Sequence, residues 1–200
     1  MTVLRPACRS YRKWHGFLCA GIGPLIFFLA AAGRGDAFER PSSAGPFAEI
    51  RIGLAAHDMD GLWSGSSKEN GPDVCAEAIF DRSLFDLLYA TARPNLGVSL
   101  NTRGDTSKLY GGVLLQWESA WPILFSTGIG LALHNGECDT DRADRKSLGS
   151  QVLFRVPIEI GYAIDRHHRI VVAFDHVSNA GLASPNEGLD TLGLFYGYRF

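Results

Sequence analysis

The C-terminal stretch Asp190–Phe200, DTLGLFYGYRF, constrains the fold more than any other part of the chain. Leu192, Leu194, Tyr196, Tyr198 and Phe200 recur at every second position and share one face of a strand. Thr191, Gly193, Gly197 and Arg199 share the other face, with Phe195 the exception. A soluble sheet would have to bury that apolar face, and chain ends are poor places to do so because they fray. An aromatic-rich face running to the final Phe, backed by small and polar residues, is the pattern of a strand with lipid on one side and a polar lumen on the other.

The same alternation recurs upstream. Strands are expected over 47–57, within 74–91 (VCAEAIF, then LFDLLYAT), and over 93–102, 109–119, 121–134, 150–163, 169–178 and 190–200. Pro157 inside one of them hints at an edge, a bulge or a barrel rim. Short turns such as GDTSK (104–108) and DRHH (165–168) contrast with polar loops at 58–73 and 135–147. About eight antiparallel strands of this length predict an all-β, eight-stranded transmembrane barrel of outer-membrane type, with short periplasmic turns and longer external loops. Glycine, at 23 residues, and aromatics, at 11%, suit such strands better than helices.

Export is written at the other end. Arg5, Arg9, Arg12 and Lys13 precede the apolar run Phe17–Ala32, which Pro24 interrupts. At about 16 residues the run is short of the roughly 20 needed to span a bilayer as a helix. Residues 1–37 therefore read as a signal peptide, cleaved after Ala32 or after Ala37, and 38–200 as one barrel domain. Cys8 and Cys19 would leave with the signal, and an exported pair, Cys75 and Cys138, remains as a candidate disulfide at one end of the barrel. With 19 Lys+Arg against 21 Asp+Glu, nothing points to a nucleic-acid partner.

Chemistry concentrates in FDHVSNAGLASPNEGLD, residues 174–190. His176 and Ser178 lie on the same face as Ile170, Val172 and Phe174, the lipid side. Asp190 has the parity of the lipid face of the last strand, whereas Glu187 is odd in register. Polar groups on a lipid face are expensive and need a reason. A hydroxyl, an imidazole and a carboxylate supply one: His176 could take the Ser178 proton while Asp190, or Glu187, orients the imidazole. Asn179, or a backbone N–H beside it, could bind an oxyanion. The competing reading is that these are hydrogen-bonded rim residues with no reaction to perform.

The run His176-Val-Ser178-Asn179-Ala180-Gly181-Leu182, with Pro185-Asn186 and Gly188 after it, resembles the outer-membrane lipid A 3-O-deacylases (PagL type). The resemblance implies an eight-stranded barrel in the outer membrane that removes the ester-linked acyl chain at position 3 of lipid A. It implies a serine nucleophile, a histidine base and an acid, without metal or cofactor. It places the nucleophile on Ser178, the base on His176, and oxyanion contacts on Asn179 and Asn186. The family acid, fourteen residues after the histidine, is glutamate; here that position is Asp190, with Glu187 as the alternative. The implied partner is lipopolysaccharide in the outer leaflet, and a homodimer is compatible with the outward face. HDMDG (57–61), LNTRGDTSKLYGG (100–112) and LALHNGE (131–137) look like stretches of acyloxyacyl-hydrolase-like relatives.

Two other functions compete: a non-catalytic structural or adhesive outer-membrane barrel, and a soluble exported lipocalin-like binder. His57-Asp58 and His134 with Glu137 could be metal ligands, but strand-end positions favour loop anchoring. Arg103-Gly104-Asp105 reads as a hairpin turn, and Trp63, Trp117 and Trp121 as interface-girdle or core aromatics.

Overall fold

The computed structural model describes residues 45–118 and 121–200; the expected signal peptide, residues 1–37, lies outside the described residues. Alternating segments form β1 (Phe47–Ala56), β2 (Pro72–Phe80), β3 (Phe85–Leu87), β4 (Ala90–Asn101), β5 (Lys108–Glu118), β6 (Ile123–His134), β7 (Val152–Ala163), β8 (His168–Ser178) and β9 (Leu189–Arg199). They pair in the order β2-β1-β9-β8-β7-β6-β5-β4-β3, and β2 also pairs with β4, which closes the ring. The barrel thus has the eight antiparallel strands expected, with β3 left outside the ring. LFDLLYAT is not a barrel strand, because Leu88 and Tyr89 adopt positive φ and fold β3 back on the start of β4. Pro157 is not at an edge either. It sits mid-strand in β7, opposite Asp175 of β8, and the β6–β7 ladder is interrupted beside it without a change of register.

Strict alternation in a closed sheet leaves each side chain only two destinations. Outside, Ile52, Leu54, Ile129, Leu131, Ile160, Tyr162, Val172, Leu194 and Tyr196 form an exposed apolar surface, the lipid face of a transmembrane barrel. Inside, the groups are charged. Arg51 donates to Glu49 (2.8 Å), Glu77 (3.1 Å) and Glu159 (2.9 Å). Asp175 accepts from Arg155 Nε (2.6 Å) and Lys108 Nζ (2.8 Å), and the Arg155 guanidinium lies 3.8 Å above the Tyr110 ring. Phe195, the sequence exception, faces this interior across Gly53 and Gly193, where a Cβ would meet its ring below 3 Å. The remaining cavity between Cys75, Tyr110, Arg155 and Phe195 is ≈ 20 Å³, room for about one water. A filled, charged lumen inside an apolar wall is the inverse of a lipocalin, so the soluble-binder expectation fails.

Ring topology sorts the connections. The β2–β4, β5–β6 and β7–β8 connections lie at the end where β1 begins and β9 finishes. Loops 57–71, 102–107, 135–151 and 179–188 gather at the other end, which the outer-membrane pattern makes the external one. The GDTSK turn therefore belongs with the long loops and not with the periplasmic turns as its length suggested. Its Asp105 accepts from Asn70 N–H, and its Thr106 donates to Glu69.

The external loops are tied together by charge. His57 is held between Asp73, on Nδ1 (2.9 Å), and Glu69, on Nε2 (3.0 Å). Asp58 accepts from the N–H groups of Lys68 and Glu69 and pairs with Lys146 Nζ (3.1 Å). His134 accepts from Gly136 N–H on Nδ1 and donates from Nε2 to Ser150 O (2.6 Å). Both histidines thus anchor loops. The candidate disulfide is absent: Cys75 and Cys138 are free. Cys75 is not in a turn but faces the lumen from β2, 3.4 Å from Ser99 Oγ, whereas Cys138 belongs to an external loop.

Two outcomes follow from these contacts. Arg51→Met leaves three buried carboxylates facing one another and should lower unfolding stability in detergent by about 3–5 kcal/mol, read from urea titration. Burial opposes the charge on His57, but its bonds to Asp73 and Glu69 outweigh that and raise its pKa from 6.5 to about 9. Burial likewise opposes ionisation of Glu69, yet His57 and the Lys146 and Thr106 donors bring it from 4.5 down to about 2. The His57 contribution is complete below pH 6.5 and lost as pH rises through 9; that of Glu69 is complete above 4.5 and lost as pH falls through 2. Hydrogen-exchange protection of 57–71, corrected for intrinsic rates, should peak between pH 4.5 and 6.5. Protection undiminished at pH 10 would contradict this.

Candidate active site

β8 and β9 pair so that His176 lies directly opposite Asp190. Directly paired residues hold their Cβ atoms only about 5 Å apart, so even the short aspartate arm reaches the imidazole. Asp190 Oδ1 is 2.6 Å from His176 Nδ1, and His176 Nε2 is 3.0 Å from Ser178 Oγ. A carboxylate on Nδ1 fixes the proton there and leaves the Nε2 lone pair for the Ser178 hydroxyl. All three follow the outward parity, beside Phe174 and Val172, at the external ends of β8 and β9. Hydroxyl, imidazole and carboxylate form one hydrogen-bonded line on the outside of the barrel wall, the arrangement that nucleophilic catalysis needs.

Asp190 faces outward yet is completely buried. The β1–β2 loop folds over the rim and covers it. Ser64 N–H donates to Asp190 Oδ2 (2.7 Å), and Met59 N–H donates to its carbonyl (2.9 Å). From the same loop Trp63 packs edge-on against His176, with ring centroids 5.2 Å apart, and against Phe174 at 5.3 Å. The sequence reading grouped Trp63 with girdle or core aromatics and missed its place beside the histidine. No spacing signal links residue 63 to residue 176; only the loop's return over the rim does.

Glu187, the alternative acid, is turned elsewhere. Its Oε1 accepts from Lys68 Nζ (2.5 Å) and its Oε2 from Ser147 N–H (2.7 Å). Burial pushes its pKa up, but these donors prevail and hold it below the ordinary value. Glu187 thus ties the β8–β9 loop to the β1–β2 and β6–β7 loops.

The two candidate oxyanion residues differ in what they have left to give. Asn179 is buried, and its Nδ2 donates to Leu148 O (3.1 Å) and Pro185 O (2.8 Å) while its Oδ1 accepts from Gly181 N–H (2.9 Å). Its own N–H donates to Asn186 Oδ1 (3.0 Å). Asn179 is therefore spent on shaping the loop. Asn186 is exposed, and accepting through Oδ1 leaves its amide N–H groups for another acceptor. Gly149, also missed in the sequence, makes the packing feasible. At φ +74°, a Cβ there would meet Pro185 O at 1.8 Å and Asn179 Nδ2 at 2.5 Å.

Comparison with known proteins gives the family and the fold. The family described as lipid A 3-O-deacylase (PagL) matches residues 86–199, which include His176, Ser178 and Asp190. The lipid A deacylase PagL of Bordetella bronchiseptica is 32% identical over 87 residues, 44% of this chain and 47% of the relative. That of Pseudomonas aeruginosa is 36% identical over 79 residues, 40% of this chain and 43% of the relative. The chain thus spans about half the length of the curated relatives it matches, at 47% and 43%. In fold, it is similar to the crystal structure of the outer membrane enzyme PagL, with a TM-score of 0.54 and 21% identity over 76% of this chain and 100% of that one. It is also similar to the N-terminal β-barrel domain of Pseudomonas aeruginosa OprF, at a TM-score of 0.51 and 10% identity over 77% of this chain and 98% of that one. On the strength of the match over 86–199, the chain belongs to the lipid A 3-O-deacylase (PagL) family.

Proposed function

We propose that this outer-membrane barrel is an ester hydrolase that removes the 3-O-linked acyl chain of lipid A, with Ser178 as nucleophile, His176 as base and Asp190 as the acid of the triad. The observation that carries the reading is the Asp190–His176–Ser178 hydrogen-bonded line on the lipid-facing wall near the external rim, at 2.6 and 3.0 Å. A site so placed meets a substrate already lying in the outer leaflet, and the acyl chain need never enter water. The names of the relatives, lipid A deacylases, agree with that substrate.

The chemistry balances on these residues alone. His176 Nε2 takes the Ser178 proton as Oγ attacks the ester carbonyl, and the C–O π pair moves onto oxygen. Asn186 Nδ2, rather than Asn179, is the donor assigned to that oxyanion. Collapse expels the sugar 3-oxygen, which receives the proton from His176, and leaves acyl-Ser178. Water, deprotonated by His176, then attacks the acyl-enzyme, releasing the fatty acid and restoring Ser178. Asp190 stays ionised and stabilises the imidazolium in both steps.

Purified protein acting on lipid A in mixed micelles tests the assignment. Ser178→Ala and His176→Ala should each cut kcat by roughly 10⁴-fold or more, and Asp190→Ala by about 10³- to 10⁴-fold. Glu187→Ala, which only loosens loops, should cost less than about tenfold, within the range of a misplaced supporting contact. A larger loss at Glu187 than at Asp190 would reverse the choice of acid.

A further inference from the structure

We infer that the β1–β2 loop is a working part of the site, in which the Ser64 backbone N–H and the Trp63 indole are positioning groups for Asp190 and His176. The inference rests on the triad reading above and deepens it.

A triad acid needs two things: a fixed direction and a reason to stay charged where water is excluded. Asp190 sends one oxygen to His176 Nδ1, and the Ser64 N–H at 2.7 Å is what holds the other. Without that donor the carboxylate could rotate about its Cβ–Cγ bond and present either oxygen, or neither, to the imidazole. The imidazole has the matching problem. On an open outer wall its ring is free to swing away from Ser178. Trp63, edge-on to both His176 and Phe174 at 5.2 and 5.3 Å, closes that side. Gly188 packs against the same assembly: a Cβ there would lie 3.3 Å from His176 Cε1 and 3.5 Å from Ser64 Cβ.

The loop is built to hold still while doing this. His57 fixes its start between Asp73 and Glu69, Asp58 pairs with Lys146, and Lys68 pairs with Glu187 on the catalytic loop. Trp63 nevertheless remains 59% exposed, a large exposure for a residue placed only for packing. Indoles favour the headgroup level of a membrane, where an acyl ester would also lie. The family match begins at residue 86, so this loop falls outside it.

The test uses the full-length barrel folded in detergent, with heat-modified gel mobility to count folded molecules. A fluorophosphonate reports Ser178 nucleophilicity per folded molecule, and lipid A turnover reports kcat and KM. Trp63→Ala should slow labelling and lower kcat by roughly 10- to 100-fold. KM should change by less than about threefold, because an interaction made for the transition state is lost. Trp63→Phe, which keeps an aromatic edge against His176, should recover most of the rate. Ser64→Pro, which deletes the N–H, should lower kcat in the same way. Trp63→Ala labelling at the wild-type rate, or a loss that only follows the folded fraction, overturns the inference and leaves the triad reading intact. A wild-type Ser178 that ignores the probe and leaves lipid A unchanged overturns the triad reading itself.

Discussion

A closed ring of eight strands gives every residue one of two destinations, and the structure depends on that constraint. Odd positions of β1, β2 and β9 carry Glu49, Arg51, Glu77 and Arg199 inward, while their even neighbours face lipid. The interior then has to neutralise its own charges without solvent. Arg51 among three carboxylates and Asp175 between Arg155 and Lys108 do so, and they tie strands far apart in sequence into one unit. With the lumen filled, no reacting group has room inside. Among the described residues, the outer wall is the surface left for presenting chemistry to a lipid.

That placement accounts for the site's construction. On a wall, strand pairing sets distances that a loop could not hold. The β8–β9 register puts Asp190 opposite His176, and the pleat puts Ser178 on the same face. What a wall lacks is a second side. The external loops supply it: the β1–β2 loop covers Asp190 and flanks His176, and the β6–β7 loop braces Asn179 through Leu148 and Gly149. Lys68–Glu187 and Lys146–Asp58 join these loops, so the cover and the β8–β9 loop hold together as one assembly.

Much of this was legible in the sequence because period-two alternation is a local property. The outward parity of His176, Ser178 and Asp190 followed from counting along two strands, and the choice of Asp190 over Glu187 followed from the same count. What counting could not supply is register between loops. Trp63 and Ser64 lie more than a hundred residues from the triad and reach it only because the loop folds over the rim. The GDTSK turn looked periplasmic by length, but the position of a turn in the ring decides its side. LFDLLYAT alternates well enough to pass for a strand, and only the positive φ of Leu88 and Tyr89 takes it out of the ring. Cys75 sat next to a turn-rich stretch, so its inward face on β2 was hidden by its neighbours.

The central claim is that Ser178, facing lipid, performs the proposed ester hydrolysis on lipid A. Its most direct test is the lipid A mass spectrum of an outer-membrane host expressing the wild-type chain beside one expressing Ser178→Ala, both verified as folded barrels. The account predicts loss of one 3-O-linked acyl chain in the first and none in the second. Identical acylation in the two hosts, with folded protein in both outer membranes, would contradict it.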